Sequence, residues 1–182
     1  GGAERALFQL LQGGLSSQFE SYVVSLGGEG TYASMLRSEG VPTVALGLKE
    51  GRSLVGALNA LRKILRDFQP DIVQGWMYHG NLVASIASIL APGSPLVYWN
   101  VRQTLYDIKQ EKIGTRSVIR LCSLISVQPK AIIYNSSVSC KQHEDFGFSR
   151  RKHVVIPNGF DLLTWRPDTV GALETRRSLR IS

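Results

Sequence analysis

Short segments of strand-forming apolar residues alternate with segments of helical periodicity along almost the whole chain. The predicted strands cover residues 19–26, 43–46, 71–74, 96–101, 131–134 and 154–156. The predicted helices cover residues 3–11, 32–38, 54–68, 79–90, 115–126 and 136–146. Strands this short and apolar are typical of a parallel sheet that is buried on both faces. The sequence therefore predicts the α/β class: a Rossmann-like parallel sheet with helices on both faces and right-handed crossovers.

The composition changes after Pro167. Residues 168–182 are polar and basic, and their large apolar residues are Leu173, Leu179 and Ile181. A chain of 182 residues has room for one ordinary domain with a core. We therefore predict one domain over residues 1–167, followed at 168–182 by a linker and the first helix of a second, truncated domain.

The net charge of +7 favours anionic partners such as nucleotide diphosphates or acidic membrane surfaces. Arg62, Lys63 and Arg66 form one basic cluster, which is explained either as a solvated helix face or as a face that lies on anionic lipid. Basic and aromatic residues are not interleaved, so we expect no nucleic-acid partner. The longest apolar stretch, residues 82–91, is shorter than the roughly 20 residues of a membrane span. We expect a cytoplasmic protein that makes peripheral contact with the inner face of the membrane.

Several motifs of common enzyme classes are missing from the sequence. It contains no P-loop, no nucleophile elbow, no HExxH and no CxxC. Cys122 and Cys140 lack the spacing of metal ligands, so we expect reduced, buried thiols and no metal. We expect His143 to be exposed or half-buried and to have no role in ligand binding.

Polar residues follow two of the predicted strands where each strand ends. His79 follows one strand, and Asn100 and Arg102 lie at the end of the next. Ligands of open α/β sheets bind beyond the carboxyl ends of the strands. His79 suits a sugar hydroxyl or a phosphate, and Arg102 suits a phosphate or a carboxylate. The alternatives are a polar helix start at His79 and an ion pair between Arg102 and Asp107 or Glu111.

Glycines at two other places would allow a ligand to approach the backbone. Gly1 and Gly2 open the first predicted helix, where exposed N–H groups can meet a phosphate or a sugar. A plain turn is the alternative there. Asn158 and Gly159 form a strong turn signal after the last predicted strand, and their spacing leaves the chemical role open.

Residues 28–33 match the dinucleotide fingerprint G-x-G-x-x-A, with Gly28 and Gly30 between a predicted strand and a helix. The acid about 20 residues further on would be Glu50, which lies in a glycine-containing loop rather than at a strand end. We therefore favour a tight turn, and a dinucleotide-binding Rossmann enzyme remains an alternative.

Five segments resemble, in the same order, segments of glycosyltransferase family 4. They are residues 1–5 (GGAER), 69–79 (QPDIVQGWMYH), 99–102 (WNVR), 133–147 (IYNS, then His143 and Gly147) and 155–167 (VIPNGFDLLTWRP). Five matches in order across residues 1–167 are far more specific than any one of them. The first and third segments are similar to a subgroup with GGAER and WNIR motifs.

The resemblance implies the N-terminal, acceptor-side half of a GT-B fold, in which two Rossmann-like halves face a cleft. It implies a retaining transfer of sugar from a nucleotide-sugar donor to a hydroxyl of a glycan or lipid-linked acceptor, without a metal or other cofactor. The pathway would be cell-surface polysaccharide or glycolipid biosynthesis. The residues that would line this half of the cleft are Gly1, Gly2, His79, Asn100 and Arg102, with Asn158 and Gly159 at the hinge. The catalytic groups would belong to the other half.

Two features depart from the family's pattern. In the family a strand precedes the GGAER segment and lies in the middle of the sheet, so we expect a gap in this sheet. The donor-binding domain would follow Pro167, so we expect residues 1–182 alone to be inactive, because the cleft needs both walls. The alternatives are a GT-B-type sugar epimerase, a dinucleotide enzyme that uses Gly28 and Gly30, and a non-catalytic domain that binds a phosphorylated sugar or lipid.

Overall fold

The computed structural model describes residues 2–48, 50–51, 53–159 and 167–181. The helices are α1 (Gly2–Leu10), α2 (Ser16–Gln18), α3 (Ala33–Ser38), α4 (Leu54–Phe68), α5 (Met77–Leu90), α6 (Ile113–Ile125), α7 (Ser137–Phe146) and α8 (Thr169–Leu179). The strands are β1 (Val23–Ser25), β2 (Thr43–Ala45), β3 (Ile72–Trp76), β4 (Leu96–Val101), β5 (Ala131–Tyr134) and β6 (His153–Val155). The alternation of strands and helices is the one that the sequence predicts, and the limits of β4 and β5 agree with the prediction.

The strands form two parallel sheets. One contains β1 and β2, and the other has the order β3-β4-β5-β6. Among the described residues no strand ladder joins the two sheets, which agrees with the expected gap. Helices flank both sheets, which confirms the predicted α/β class. Because β3 to β6 are parallel, their carboxyl ends lie along one edge of the larger sheet.

Helix α4 shows how the local sequence sets the limits of an element. The hydroxyl of Ser53 accepts a hydrogen bond from the N–H of Gly56 at 3.1 Å, as expected of an N-cap. The buried face of the helix consists of Ala57, Leu61 and Leu65. Gln69 then takes a left-handed φ of 49°, which ends the helix in front of Pro70. The amphipathic pattern therefore gives both the position and the inward face of this helix.

One apolar core lies around β4. Trp99 and Val101 are fully buried (0% exposed) and pack with Ile119, Ile132 and other apolar side chains. The indole N–H of Trp99 donates to the hydroxyl of Ser85 on α5 at 3.2 Å, which satisfies a donor that burial removes from water. This core fixes α5 and α6 on the larger sheet.

A second apolar core connects the two sheets. Leu46, Leu61 and Leu65 are buried there, and Val24 of β1 and Val73 of β3 pack against the same cluster. The two sheets therefore share an apolar layer although no strand ladder joins them.

Helix α5 is rich in apolar residues and is 14 residues long. A helix that crosses a bilayer needs about 20 residues. In the described part of the chain, no helix combines the length and the apolar character that a membrane span requires. Helix α5 instead packs on β3 and β4.

His143 differs from the expectation of an exposed or half-buried residue, because it is completely buried (0% exposed). Its Nδ1 lies 2.7 Å from the carbonyl oxygen of Ser139, and its Nε2 lies 2.7 Å from the hydroxyl of Tyr78. A carbonyl oxygen only accepts, so Nδ1 donates to Ser139 and Nε2 accepts from Tyr78. This bond ties α7 to the first turn of α5. Burial lowers the pKa of His143, so the ring is neutral at neutral pH.

We expect the free energy of unfolding to fall as the pH drops below about 6.5, the ordinary pKa of histidine. Below that pH the unfolded chain takes up a proton at His143 that the folded chain does not, so acid favours unfolding. Urea titrations between about pH 5 and pH 8 would measure the effect above the range in which carboxylates titrate. The His143→Gln variant should show a smaller pH dependence. His79→Gln, at an exposed position, serves as the control, and equal slopes in all three proteins would contradict the assignment.

Candidate active-site edge

Arg102 follows β4 at the carboxyl edge of the larger sheet and contacts residues from two other strand ends. Its Nη1 donates to Oδ1 of Asn158 at 3.0 Å, across 56 residues of sequence. Its guanidinium carbon lies 5.2 Å from the ring centroid of Trp76, the last residue of β3, in a cation–π contact. Arg102 is therefore fixed between the end of β3 and the segment that follows β6.

The expected alternative, an ion pair of Arg102 with an acid of the following loop, is not what the structure shows. Asp107 accepts from the N–H of Lys109 at 2.8 Å, and Glu111 accepts from the side chain of Gln103 at 3.2 Å. Both acids thus have other partners, and the contacts of Arg102 among the described residues are with a neutral amide and an aromatic ring. Its positive charge remains available to an anion at this edge.

The Nε atom of Arg102 adds a second feature. Within the described residues it is buried and has no hydrogen-bond partner. Burial also lowers the pKa of the guanidinium, which stays protonated at neutral pH because an ordinary arginine pKa is so high. A buried donor without a partner costs about 1–3 kcal/mol, so an oxygen from water or from a ligand would be favourable there.

Helix α7 supports the segment that carries Arg102. The hydroxyl of Ser139 donates to the carbonyl of Gln103 at 2.6 Å, and the side chain of Gln142 accepts from the N–H of Leu105 at 2.9 Å. These two bonds, one helical turn apart, hold the backbone directly after Arg102 on the buried face of α7. The sheet and α7 together therefore position the guanidinium.

Asn100 lies beneath this edge rather than on it. It is 3% exposed, and its backbone N–H donates to Oδ1 of Asn81 on α5 at 3.2 Å. Among the described residues, Oδ1 of Asn100 and Nδ2 of Asn81 are buried without hydrogen-bond partners. Contact between Asn100 and a ligand stays a prediction, and such a ligand would have to reach it through the surface that Arg102 presents.

Gly75 allows the close approach of α5 to β3. A Cβ atom at this position would lie 2.7 Å from the backbone nitrogen of Asn81, closer than real Cβ atoms come to other atoms. Sequence reasoning singled out neither Gly75 nor Asn81. Gly75 directly follows the predicted strand at residues 71–74, whereas in the structure it lies inside β3. A glycine inside a strand often marks a close backbone approach, so the shorter predicted strand hid this signal.

His79 lies on the first turn of α5 and is exposed. The helix starts directly from the end of β3, and Met77 at the junction has a left-handed φ of 62°. This conformation costs about 1–2 kcal/mol for a residue other than glycine. Tyr78 points inward to His143, so the same tight turn leaves His79 facing solvent at the carboxyl edge. Burial raises the pKa of the Tyr78 hydroxyl to about 12, so it remains a neutral donor.

The glycines of the predicted site have different positions. Gly1 lies outside the described residues, and Gly2 is exposed at the start of α1. Helix α1 packs against α3 in a third apolar cluster, apart from the one beneath Arg102. Asn158 and Gly159 are exposed after β6, and Asn158 belongs to the Arg102 contact. The structure therefore brings Arg102 and Asn158 together, whereas a common site with Gly1 and Gly2 stays a prediction.

The turn at residues 28–33, which matches the dinucleotide fingerprint, has an acidic side chain next to Gly28. A Cβ atom at Gly28 would lie 2.8 Å from the carboxyl carbon of Glu50. Glu29 of the same turn pairs with Arg37 of α3. A carboxylate so close to Gly28 would repel a diphosphate. The geometry of this turn therefore does not favour dinucleotide binding.

Solved structures of a protein from Anabaena, Alr3699/HepE, have a similar fold. The structure in complex with UDP and glucose has a TM-score of 0.73 and 19% identity, over 99% of this chain and 47% of that chain. The complex with UDP-glucose has a TM-score of 0.70 and 18% identity, over 99% of this chain and 46% of that chain. The chain thus spans less than half the length of these proteins and has the fold of one half of a GT-B glycosyltransferase.

The sequence itself identifies the family. No curated protein matches the chain. The family model described as Glycosyltransferase Family 4, in contrast, matches residues 1–162 of the 182. This match covers most of the chain, including β1 to β6 and the segments around His79, Arg102 and Asn158. The chain therefore belongs to glycosyltransferase family 4.

Proposed function

We propose that this chain is the acceptor-side half of a retaining glycosyltransferase, which moves a sugar from a nucleotide-sugar donor to an acceptor hydroxyl. The observation that carries the proposal is the position of Arg102 at the carboxyl edge of β4. There Asn158 and Trp76 hold the guanidinium in place. The nearby acids Asp107 and Glu111 have other partners and do not neutralise its charge. Within the family, the GGAER and WNVR segments support the subgroup with these motifs.

The donor we propose is a UDP-sugar. The similar Anabaena structures contain UDP and UDP-glucose, and the net charge of +7 suits an anionic substrate. Sugar transfer leaves negative charge on the departing diphosphate. A fixed guanidinium near that group stabilises the charge more than it stabilises the intact donor, which lowers the barrier. Because Arg102 supplies a positive charge, we propose that transfer needs no metal.

The neighbouring side chains have binding and positioning roles in this proposal. His79, exposed on the first turn of α5, would hydrogen-bond a sugar or acceptor hydroxyl. Trp76 would hold the guanidinium in place, and Asn158 would join Arg102 to the segment that leads to the second half. Gly1 and Gly2 would approach the donor phosphates or the acceptor, and Gly159 would form the hinge with Asn158. The catalytic groups other than Arg102 would come from the other wall of the cleft.

The acceptor we propose is a glycan or a lipid-linked glycan of the cell surface, which the enzyme would meet at the inner face of the membrane. Arg62, Lys63 and Arg66 are exposed on the outer face of α4. Each such side chain adds about 1 kcal/mol of attraction near an anionic lipid surface. This face would support peripheral contact of a cytoplasmic enzyme.

The test is a transfer assay with a protein that contains this chain together with a donor-binding domain. We expect UDP release from UDP-glucose, or from a related nucleotide sugar, to depend on the acceptor. NMR of the product should show the anomeric configuration of the donor, and the rate should not depend on added Mg²⁺ or Mn²⁺. Residues 1–182 alone should be inactive.

The same assay separates the remaining alternatives. Binding of phosphorylated sugars or lipids without any transfer would indicate a binding domain. Interconversion of the free nucleotide sugar without an acceptor would indicate an epimerase. Binding of NAD would restore the role of Gly28 and Gly30, although the Glu50 carboxylate at that turn argues against it.

A further inference from the structure

A cysteine, a glutamate and a histidine meet at the start of β6, at the opposite end of this strand from Asn158. Cys140 and Glu144 lie one turn apart on α7, and His153 is the first residue of β6. Oε1 of Glu144 lies 3.6 Å from Sγ of Cys140 and 2.6 Å from Nδ1 of His153. The three ligand atoms all lie within 4.8 Å of one another.

We propose that Cys140, Glu144 and His153 form a zinc site that is separate from the carboxyl edge of the sheet. Thiolate, imidazole and carboxylate are the three ligand types that zinc uses in proteins. Zinc–ligand bonds of about 2.0–2.3 Å in a tetrahedron place neighbouring ligand atoms roughly 3.3–3.7 Å apart. The distance from Sγ of Cys140 to Oε1 of Glu144 already has this value.

The contact between Glu144 and His153 needs only a small change. Its 2.6 Å is a hydrogen-bond distance, so the two atoms would have to separate by roughly 0.7 Å to reach a ligand-to-ligand distance. His153 is half-exposed, with 47% of its side chain accessible, whereas the side chain of Glu144 is 17% accessible. The histidine is therefore the ligand with the freedom to adjust.

The charges around the cluster are compatible with a dication. Zinc with one thiolate and one carboxylate has no net charge. Cys140, Glu144 and His153 line one cavity, and Lys141 and Arg150 line it as well. Both of these cations face Asp145, at 2.7 Å and 3.6 Å. Their repulsion of a metal ion is thus partly offset. The cavity has a volume of about 490 Å³, which gives zinc a way in and leaves room for water as the fourth ligand.

A plain ion pair is the competing interpretation of this cluster. An ion pair accounts for Glu144 and His153, and in that interpretation Cys140 packs in the apolar core and donates its S–H to Glu144. In the metal-free protein, burial and the Glu144 carboxylate raise the pKa of the Cys140 thiol to about 11, so the sulfur carries its proton. Zinc binding would release that proton to solvent and would replace the contact between Nδ1 and Oε1 with two metal bonds. The two interpretations therefore differ in the role of the sulfur atom.

Zinc at this position would hold α7 on β6. Among the described strands, β6 is the last in the larger sheet and pairs with β5. Because α7 also supports the segment after Arg102, the metal would stabilise that scaffold without contacting the reacting atoms. The inference does not rest on the proposed sugar transfer, and each can fail alone.

The experiment is a cobalt titration of the 182-residue chain, purified without a histidine tag and freed of metal. We expect Co²⁺ to give the thiolate-to-cobalt charge-transfer absorption, and we expect Zn²⁺ to displace it. Cys140→Ser should abolish the band. Cys122→Ser is the matched control, because it removes the other free, buried cysteine, and this variant should keep the band. His153→Gln removes a proposed ligand and should weaken zinc binding by at least about 10- to 100-fold. A loss of that size is typical even when only a residue that holds a ligand in place is changed.

If Cys140→Ser folds, two outcomes would overturn the proposal. One is the absence of the charge-transfer band in the unmodified chain, and the other is a band that persists in Cys140→Ser. Zinc should also raise the melting temperature of the unmodified chain but not that of Cys140→Ser. If Cys140→Ser does not fold, as judged by circular dichroism, His153→Gln decides, since its side chain is half-exposed. A zinc affinity unchanged in that variant would leave the ion pair as the function of this cluster.

Discussion

Replacement of Arg102 by alanine should lower kcat/KM for sugar transfer by about 10²- to 10³-fold, the loss typical of one preorganised group that stabilises developing charge. The side chain is fixed in advance by the Asn158 amide and the Trp76 ring, so it loses little entropy when a substrate binds. The measurement is steady-state kinetics with a protein that joins this chain to a donor-binding domain. Most of the loss should be in kcat, because charge on the diphosphate develops in the transition state.

Two variants separate the contribution of charge from that of geometry. Arg102→Lys keeps the charge but loses the planar fork and the stacking on Trp76, so its kcat/KM should lie between those of the unmodified protein and Arg102→Ala. Arg151→Ala removes an exposed arginine in the turn before β6 and should leave the kinetics unchanged. Unaltered turnover in the double variant Arg102→Ala with His79→Ala would remove both residues from the proposed site.

The sequence predicts those parts of the fold that depend on local patterns. The stripe of apolar residues on α4, the Ser53 cap and the apolar runs of β4 and β5 each involve residues a few positions apart. Propensity, capping and periodicity act over that range. The parallel arrangement then follows because strands alternate with helices.

The site could be predicted only in part, because its contacts connect distant parts of the chain. Strand ends identified Arg102 and His79 as candidates, but nothing local indicates that Arg102 meets Asn158 across 56 residues. His143 shows the same limit. Its partner Tyr78 is 65 residues away, and a polar residue on a helix becomes a core residue only when such a partner is present. The meeting of Cys140 with His153 likewise depends on how α7 packs beside β6.

These long-range contacts explain why the strand ends of this half can present a fixed cation. Tyr78 joins the first turn of α5 to α7, and Ser139 and Gln142 of α7 hold the segment after Arg102. The segment that carries His79 and the segment that carries Arg102 are thus both attached to α7. Preorganisation of this kind is what allows a charged group to act in a transition state without a reorganisation cost.

Replacement of Gly75 by alanine should lower the free energy of unfolding by about 3 kcal/mol, the upper part of the range for overpacked cores. The added Cβ would overlap the backbone of Asn81, and helix backbone cannot move away as a flexible side chain can. Helix α5 would have to shift from β3, which would also weaken the bond between the side chain of Asn81 and the N–H of Asn100. Urea unfolding followed by circular dichroism measures the loss.

Gly80→Ala is the matched control, because it adds the same methyl group on the other side of the same helix–strand contact. A Cβ atom there would meet the backbone of Gly75 at 3.7 Å, which is an ordinary van der Waals distance. Since Gly80 lies inside α5, alanine should raise the free energy of unfolding by roughly 1 kcal/mol through its better helix propensity. The two substitutions should therefore have opposite signs. Equal effects, or a stable Gly75→Ala variant, would mean that α5 does not lie as close to β3 as the structure places it.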